Sequence, residues 1–223
     1  MPVTTTKLIS NSKGIARGTF DSPVRNVVRR NPCRVVGFHA SRKMGKLIGF
    51  ESQIELMYFE WLEVDPDVLK FYAQPVTIQF KDSRYTPDVL VVSRTAEYFV
   101  EIKPDSVFKD GKTIDRIKGL QRHFLQCGSE LKLITKSDLT RQPLRNNVEH
   151  LGRITRRGAS QSVAELVLKH CLQGAQTIDE LRSRMSDSAE SWLVLDAVVL
   201  GYVRLDFTQP IDGNSVVTPA DWM

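Results

Sequence analysis

The chain has little of what staples or metallates a small domain. Of its 223 residues only three are cysteine, Cys33, Cys127 and Cys171, far apart and with no CxxC pair. That spacing excludes a disulfide framework and reads as reduced thiols in a cytosol. Four scattered histidines form no HExxH or other zinc spacing, and nothing in them favours a catalytic Cys–His pair. No apolar run approaches a membrane span, and MPVTTTKLIS has no stretch resembling a signal peptide, so a cytoplasmic protein with no membrane partner is expected. Internal repeats and low-complexity tracts are missing too. What is present, 41% hydrophobic residues, supports a core and excludes global disorder. The length suits one ordinary domain, or one plus a small appendage.

The net charge of +5 conceals an asymmetry. Residues 1–158 hold 27 Lys/Arg against 17 Asp/Glu, whereas residues 159–223 hold 4 against 9. A basic body fits a polyanion such as DNA, and an acidic tail fits some other partner; two solvated surfaces of unequal charge would look the same. Residues 1–40 read as a basic N-terminal arm. Arg25, Arg29, Arg30, Arg34, Arg42, Lys43 and Lys46 are its candidate DNA contacts, to phosphates rather than bases.

Periodicity gives a coarse order of elements. After one or two short strands in the region of Val35–Val36 and Leu47–Phe50, ESQIELMYFEWLEV predicts a helix over about 51–64. Its apolar stripe is Ile54, Met57, Tyr58, Trp61 and Leu62, and Asp65-Pro66 stops it. VLKFYAQPVTIQF supplies strand material. VLVV (89–92) and YFVEI (98–102), joined by a short turn, predict an antiparallel hairpin. A helix follows over about 112–127, with Ile114, Ile117, Leu120, Phe124 and Leu125 on one side; LKLIT (131–135) is then a strand parallel to 98–102. The fold class is α/β, a mixed sheet flanked by helices over 41–150. LGRITRRGASQS reads as a basic linker. Beyond it, residues 159–223 give helix, helix, helix and a two-stranded wing, a small winged-helix-like domain whose second helix opens with a capping box of Thr177 and Glu180.

The chemistry sits in RYTPDVLVVSRTAEYFVEIKP. Strand alternation points Glu101 and Lys103 the same way, and the hairpin can bring Asp88 beside Glu101. One reading is a buried ion pair of structural purpose. The other is an oxygen-rich corner for Mg²⁺, with Mn²⁺ substituting, that polarises a phosphodiester while Lys103 orients the nucleophile or stabilises developing charge. Pro87 before Asp88, Pro104 after Lys103, and two glutamates upstream weigh toward the second. Glu51 and Glu55 lie at i and i+4 on one helix face without a lysine partner, so either a solvated face or a further carboxylate beside the metal fits.

TPD, twelve residues, then EIK resembles the PD-(D/E)xK nuclease signature. The longer run FESQIELMYFEWLEVDPDVLKFYAQPVTIQF, with RYTPDVLVV and VEIKP, resembles the N-terminal domain of TnsA-type endonucleases, subunits of heteromeric cut-and-paste transposases. The resemblance covers about Ser41 to Thr135 and implies a restriction-endonuclease-like fold. It implies catalytic roles for Glu55, Asp88, Glu101 and Lys103, with metal ligation by Asp88, Glu101 and Glu55 and a supporting place for Glu51. Gln74-Pro75 matches a recurrent family dipeptide, and a strand start fixed by proline explains it as well. The resemblance further implies nicking of the 5′, non-transferred strands at transposon ends, beside a DDE-type transposase that handles the 3′ ends and an AAA+ regulatory ATPase. Nucleoid association during activity follows from that role.

Two rivals accompany this reading: a stand-alone restriction- or resolvase-like nuclease, and a non-catalytic adaptor on the same fold. The intact Glu55, Asp88, Glu101 and Lys103 set argues against decay. The tail argues against a stand-alone enzyme, because SAESWLVLDAVVLGY carries Glu190 and Asp196 where a DNA-reading helix would carry Arg, Lys, Asn or Gln. Residues 159–223 therefore read as a module docking the transposase or the ATPase, with packing inside the chain as the alternative.

Overall fold

The structure, a computed structural model, describes residues 35–174, 176–185 and 193–221. Contacts divide these into two compact units, one of residues up to 59 with 68–139, the other of 60–67 with residues from 140 onward.

The first unit is built on alternating and continuous apolar runs that become four hydrogen-bonded strands. These are β3 (Val68–Ala73), β6 (Val89–Ser93), β7 (Glu97–Lys103) and β8 (Leu131–Thr135), in that spatial order. β3 pairs antiparallel with β6 and β6 with β7, while β8 pairs parallel with β7, Phe99 level with Leu131. The parallel pair is bridged by a helix, α2 (Gly111–Gln126), which starts where Asp110 accepts from the backbone N–H groups of Lys112 and Thr113 at 3.1 and 3.2 Å. Two hairpins complete the unit: β1 (Gly37–Ser41) with β2 (Lys46–Phe50), and β4 (Ile78–Phe80) with β5 (Ser83–Tyr85).

Strand alternation sorts the sheet into two faces. Leu90 and Phe99 meet Leu120 and Phe124 of α2, together with Phe80 and Tyr85 of the second hairpin. Phe124 is the hub, edge-on to both Phe99 and Tyr85 at centroid distances of 5.1 and 6.1 Å. Elsewhere in the unit, Phe71 packs on Phe59 at 5.5 Å. Phe59 lies in the helix α1 (Gln53–Val64), whose buried residues include Tyr58 and Leu62 of the expected stripe. On α2, Ile117, Leu120 and Phe124 are buried as expected, but Leu125 is 73% exposed. It is adjacent to Phe124 and so turned about 100° around a helix of 3.6 residues per turn, and the sheet covers only one side.

The second unit gathers Val64 with α4 (Leu144–Arg157), α5 (Gln161–Leu172), α6 (Ile178–Arg184) and the single-turn α7 (Asp196–Val199) around one apolar core. A short helix, α3 (Lys136–Thr140), precedes them. Residues 151–157, expected as linker, are instead the last turns of α4. Leu151 and Ile154 are buried there on the amphipathic stripe that Leu144 and Val148 begin, and Gly158 at φ +93° ends the helix. The capping box of Thr177 and Glu180 is present on α6. Two-residue strands β9 (Val203–Arg204) and β10 (Thr218–Pro219) pair antiparallel.

Asp196 does not present its charge to a partner. It is fully buried; its carboxylate holds the Arg157 guanidinium and accepts from the Ser160 N–H at 2.7 Å. It ties the start of α5 to α7, so it is not a surface charge that a partner or a phosphate would meet. Glu190 lies outside the described residues. Breaking a buried ion pair costs about 3–5 kcal/mol when the stranded charge is the buried one. Arg157→Ala is therefore expected to destabilise the second unit by about that range, and Asp196→Asn by less, since the amide oxygen still serves Ser160. Urea denaturation of the full chain followed by tryptophan fluorescence measures both.

Candidate active site

The β6–β7 register sets the site. Val89 lies across from Val100 and Leu90 from Phe99, and the Asp88 N–H extends the ladder to the Val100 carbonyl at 3.0 Å. Asp88 is thereby level with Glu101. Alternation puts Glu101 and Lys103 on the face of Phe99, with Val100 and Ile102 turned away. Asp88 is held from its other side as well, since its carbonyl accepts from the Gln74 N–H at 2.8 Å. Gln74 is buried and has φ +46°, a left-handed conformation that costs a non-glycine residue roughly 1–3 kcal/mol. That geometry, at the end of β3, aims its N–H at Asp88.

The side chains form a compact network. Asp88 Oδ2 accepts from the Ile102 N–H at 2.7 Å. The Lys103 ammonium stands 2.5 Å from Glu101 Oε1 and 3.8 Å from Asp88 Oδ2, and it donates to the Ile102 carbonyl at 3.2 Å. The other oxygen of the buried Glu101, Oε2, accepts from the Tyr85 hydroxyl at 2.6 Å. One ammonium thus faces two carboxylates. Burial, and then the Glu101 charge, push the Asp88 carboxyl up to about 7, against the pull of Lys103 and the Ile102 N–H. Burial works against the Lys103 charge, but Asp88 and Glu101 outweigh it and hold the ammonium above the ordinary lysine value. Lys103 remains charged, and Asp88 is the group that takes up a proton when no further cation is at hand.

That surplus of negative charge is what a cation relieves. Among the described residues no group of three or more His, Cys, Asp or Glu is placed to hold a metal ion. Two carboxylates are enough for Mg²⁺, which keeps several waters and takes substrate phosphate oxygens as ligands. Asp88 and Glu101 fit such a site by donor chemistry and charge.

Residues 65–136 match the family model for the TnsA-like endonuclease N-terminal domain. Over this stretch the chain is similar to TnsA-like endonucleases. The match runs from the end of α1 through β8 and contains Gln74, Tyr85, Asp88, Glu101 and Lys103. No curated protein matches the chain. No helix among the described residues is long and apolar enough to cross a membrane.

Glu51 and Glu55 fall outside the matched residues. Glu55 is turned to the start of its own helix. Oε2 accepts from the Glu51 N–H at 2.8 Å and Oε1 from the Ser52 hydroxyl at 3.0 Å, while Ser52 Oγ accepts from the Glu55 N–H at 3.2 Å. This is the reciprocal bonding of a helix cap. Burial raises the Glu55 carboxyl pKa despite those hydrogen bonds, and its field reaches both Asp88 and Lys103. Glu51 contributes its N–H to that cap.

Of the expected DNA contacts, Arg42 and Lys43 lie in the β1–β2 turn and Lys46 begins β2; Arg25, Arg29, Arg30 and Arg34 lie outside the described residues. Two participants escaped sequence reasoning. Tyr85 stands three residues before Asp88 in the same quoted run, and its signal was an aromatic with a polar tip beside the motif. The Ile102 N–H carries no sequence signal, because every residue but proline has one.

A carboxyl raised in the folded state binds its proton more tightly there than in the unfolded chain. Asp88 therefore lowers stability progressively as pH rises from its ordinary 3.8 toward about 7, and the full penalty remains above that. Without divalent metal, Asp88→Asn is expected to be more stable than the native chain at pH 8, with the gap closing toward pH 4. Urea midpoints across that range, with chelator present, give the test.

Proposed function

We propose that the protein is a divalent-metal-dependent DNA endonuclease subunit of a heteromeric transposase, nicking the 5′ strands at transposon ends. The observation that carries this reading is the Asp88, Glu101 and Lys103 network lying wholly inside the TnsA-like domain. Asp88 and Glu101 would hold Mg²⁺ or Mn²⁺. Such an ion, when bound, polarises a phosphoryl oxygen and lowers the pKa of a bound water. Lys103, beside both carboxylates, would orient the attacking water or stabilise charge developing on the phosphate. Asp88 holds its place through Gln74 and the β7 backbone, and so is positioned before any cation binds. Glu55 adds negative potential from the capped start of α1.

The basic arm and the β1–β2 turn supply grip on flanking phosphates, independent of sequence. A transposase that cuts and joins the 3′ strands and a AAA+ regulator are the partners, with residues 159–223 as the docking module. A winged-helix arrangement of that module agrees with its helix, helix, short helix and hairpin order. Two carboxylates crowded around one ammonium, with more negative than positive charge, favour catalysis over an adaptor.

Purified protein with transposon-end DNA, Mg²⁺ and the partner transposase is expected to nick only 5′ strands. Asp88→Ala is expected to fold and to lose at least 100-fold of that activity, as does the native chain in excess chelator, on strand-resolved gels. Full cleavage by Asp88→Ala would remove this site from the reaction.

Strand division gives a second outcome. If Lys103→Ala stops 5′ cutting while the partner still joins 3′ ends, the element stays tied to its donor through the uncut strands. Replication across that branched product fuses donor and target. Sequencing transposition products in a Lys103→Ala strain is expected to show cointegrates in place of simple insertions. Continued simple insertions would mean that another site makes the 5′ nick.

A further inference from the structure

Tyr85 is a buried tyrosine whose hydroxyl serves one purpose visible in the fold. It ends β5, its ring lies edge-on to Phe124 at 6.1 Å, and the Arg116 guanidinium sits 6.0 Å from the ring centroid. Packed this way the ring has no freedom to swing, and its hydroxyl reaches Glu101 Oε2 at 2.6 Å. The phenol donates in that hydrogen bond, since an ionised carboxylate oxygen can only accept. The two oxygens of Glu101 therefore have different surroundings. Oε2 is turned inward onto Tyr85, and Oε1 faces the half-exposed Lys103 ammonium. Asp88 differs, since its Oδ2 both accepts from the Ile102 N–H and lies nearest the Lys103 ammonium.

From this division we infer that Tyr85 is a positioning residue that keeps Glu101 a one-oxygen ligand and so selects Mg²⁺ against Ca²⁺. The inference rests on the reading of Asp88 and Glu101 as the metal-holding pair. Its physical basis is the contrast between the two ions. Ca²⁺ takes six to eight oxygens and readily accepts both oxygens of one carboxylate, whereas Mg²⁺ demands a small octahedral shell and is content with single carboxylate oxygens and water. A donor clamped on Oε2 disfavours the two-oxygen mode and leaves the one-oxygen mode intact. Hydrogen bonds behind a ligand carry weight of this size: their loss typically changes metal affinity by about 10–100-fold.

The experiment measures binding, with no turnover. Mn²⁺ bound to the full-length protein is followed by electron paramagnetic resonance, and Mg²⁺ and Ca²⁺ are titrated against it for the native chain, Tyr85→Phe, Glu101→Gln and the double variant. Asp88→Ala serves as the control that abolishes the site. Tyr85→Phe is expected to shift the Ca²⁺-to-Mg²⁺ competition ratio about tenfold toward Ca²⁺. In the Glu101→Gln background, where position 101 offers a single oxygen in any case, the same substitution is expected to leave the ratio unchanged. A uniform loss of affinity for all three ions, with the ratio unmoved, is what a merely structural tyrosine produces and overturns the inference while leaving the metal site standing. If the native chain and Asp88→Ala bind Mn²⁺ equally, the metal site itself is refuted and the inference falls with it. Should Tyr85→Phe fail to fold, a fluorotyrosine introduced at position 85 retains ring and hydroxyl. Its ¹⁹F resonance is expected to move along the Mg²⁺ binding curve, and a resonance indifferent to Mg²⁺ overturns the inference.

Discussion

Two carboxylates on neighbouring strands repel each other, and the sheet gives them no room to part. Asp88 and Glu101 are level because the β6–β7 ladder makes them so, and that ladder is fixed by apolar residues on both of its faces. A one-residue slip would send every side chain of β7 to the opposite face and take Phe99 out of its contact with Phe124. The register that fills the core is the register that crowds the acids. Lys103, two residues along the same strand, is the part of the sequence that makes the crowding tolerable, and it leaves one negative charge uncompensated.

The same economy of position runs through the surrounding contacts. Gln74 accepts a left-handed backbone to point its N–H at Asp88, and Tyr85 spends a buried hydroxyl on Glu101. Both belong to segments whose other work is structural: Gln74 closes β3, and Tyr85 is part of the aromatic cluster around Phe124. A domain built this way has its acidic corner prearranged by the core, in keeping with the general need for reactive groups to be held before substrate arrives. In the second unit the corresponding buried charge has the opposite outcome. Asp196 is neutralised by Arg157 and the Ser160 N–H, so its burial serves the fold and leaves no local surplus of charge.

Much of this was legible in the sequence because strands write their geometry with period two. The hairpin of VLVV and YFVEI, the shared face of Glu101 and Lys103, the crossover helix and the parallel β8 all follow from local apolar patterning, and the structure has each of them. The capping box on α6 was equally local, a hydroxyl and a carboxylate three residues apart. Where patterning is ambiguous, composition misleads. LGRITRR looks like a basic linker by composition, yet its leucine and isoleucine continue the stripe of α4 and Arg157 pairs with the buried Asp196.

What the sequence determined by itself, then, was the order of elements and the identity of the acids and the lysine, since propensity, turn chemistry and alternation act between residues a few positions apart. What the tertiary structure decided was direction and environment. It turned Glu55 back onto its helix start, exposed Leu125, buried Asp196 against an arginine 39 residues away and brought the Tyr85 hydroxyl to a carboxylate 16 residues on. Each of those outcomes depends on which surface another element leaves uncovered and on which donor a buried acceptor can reach. Burial acts on the whole chain at once, and no window of neighbouring residues contains that information.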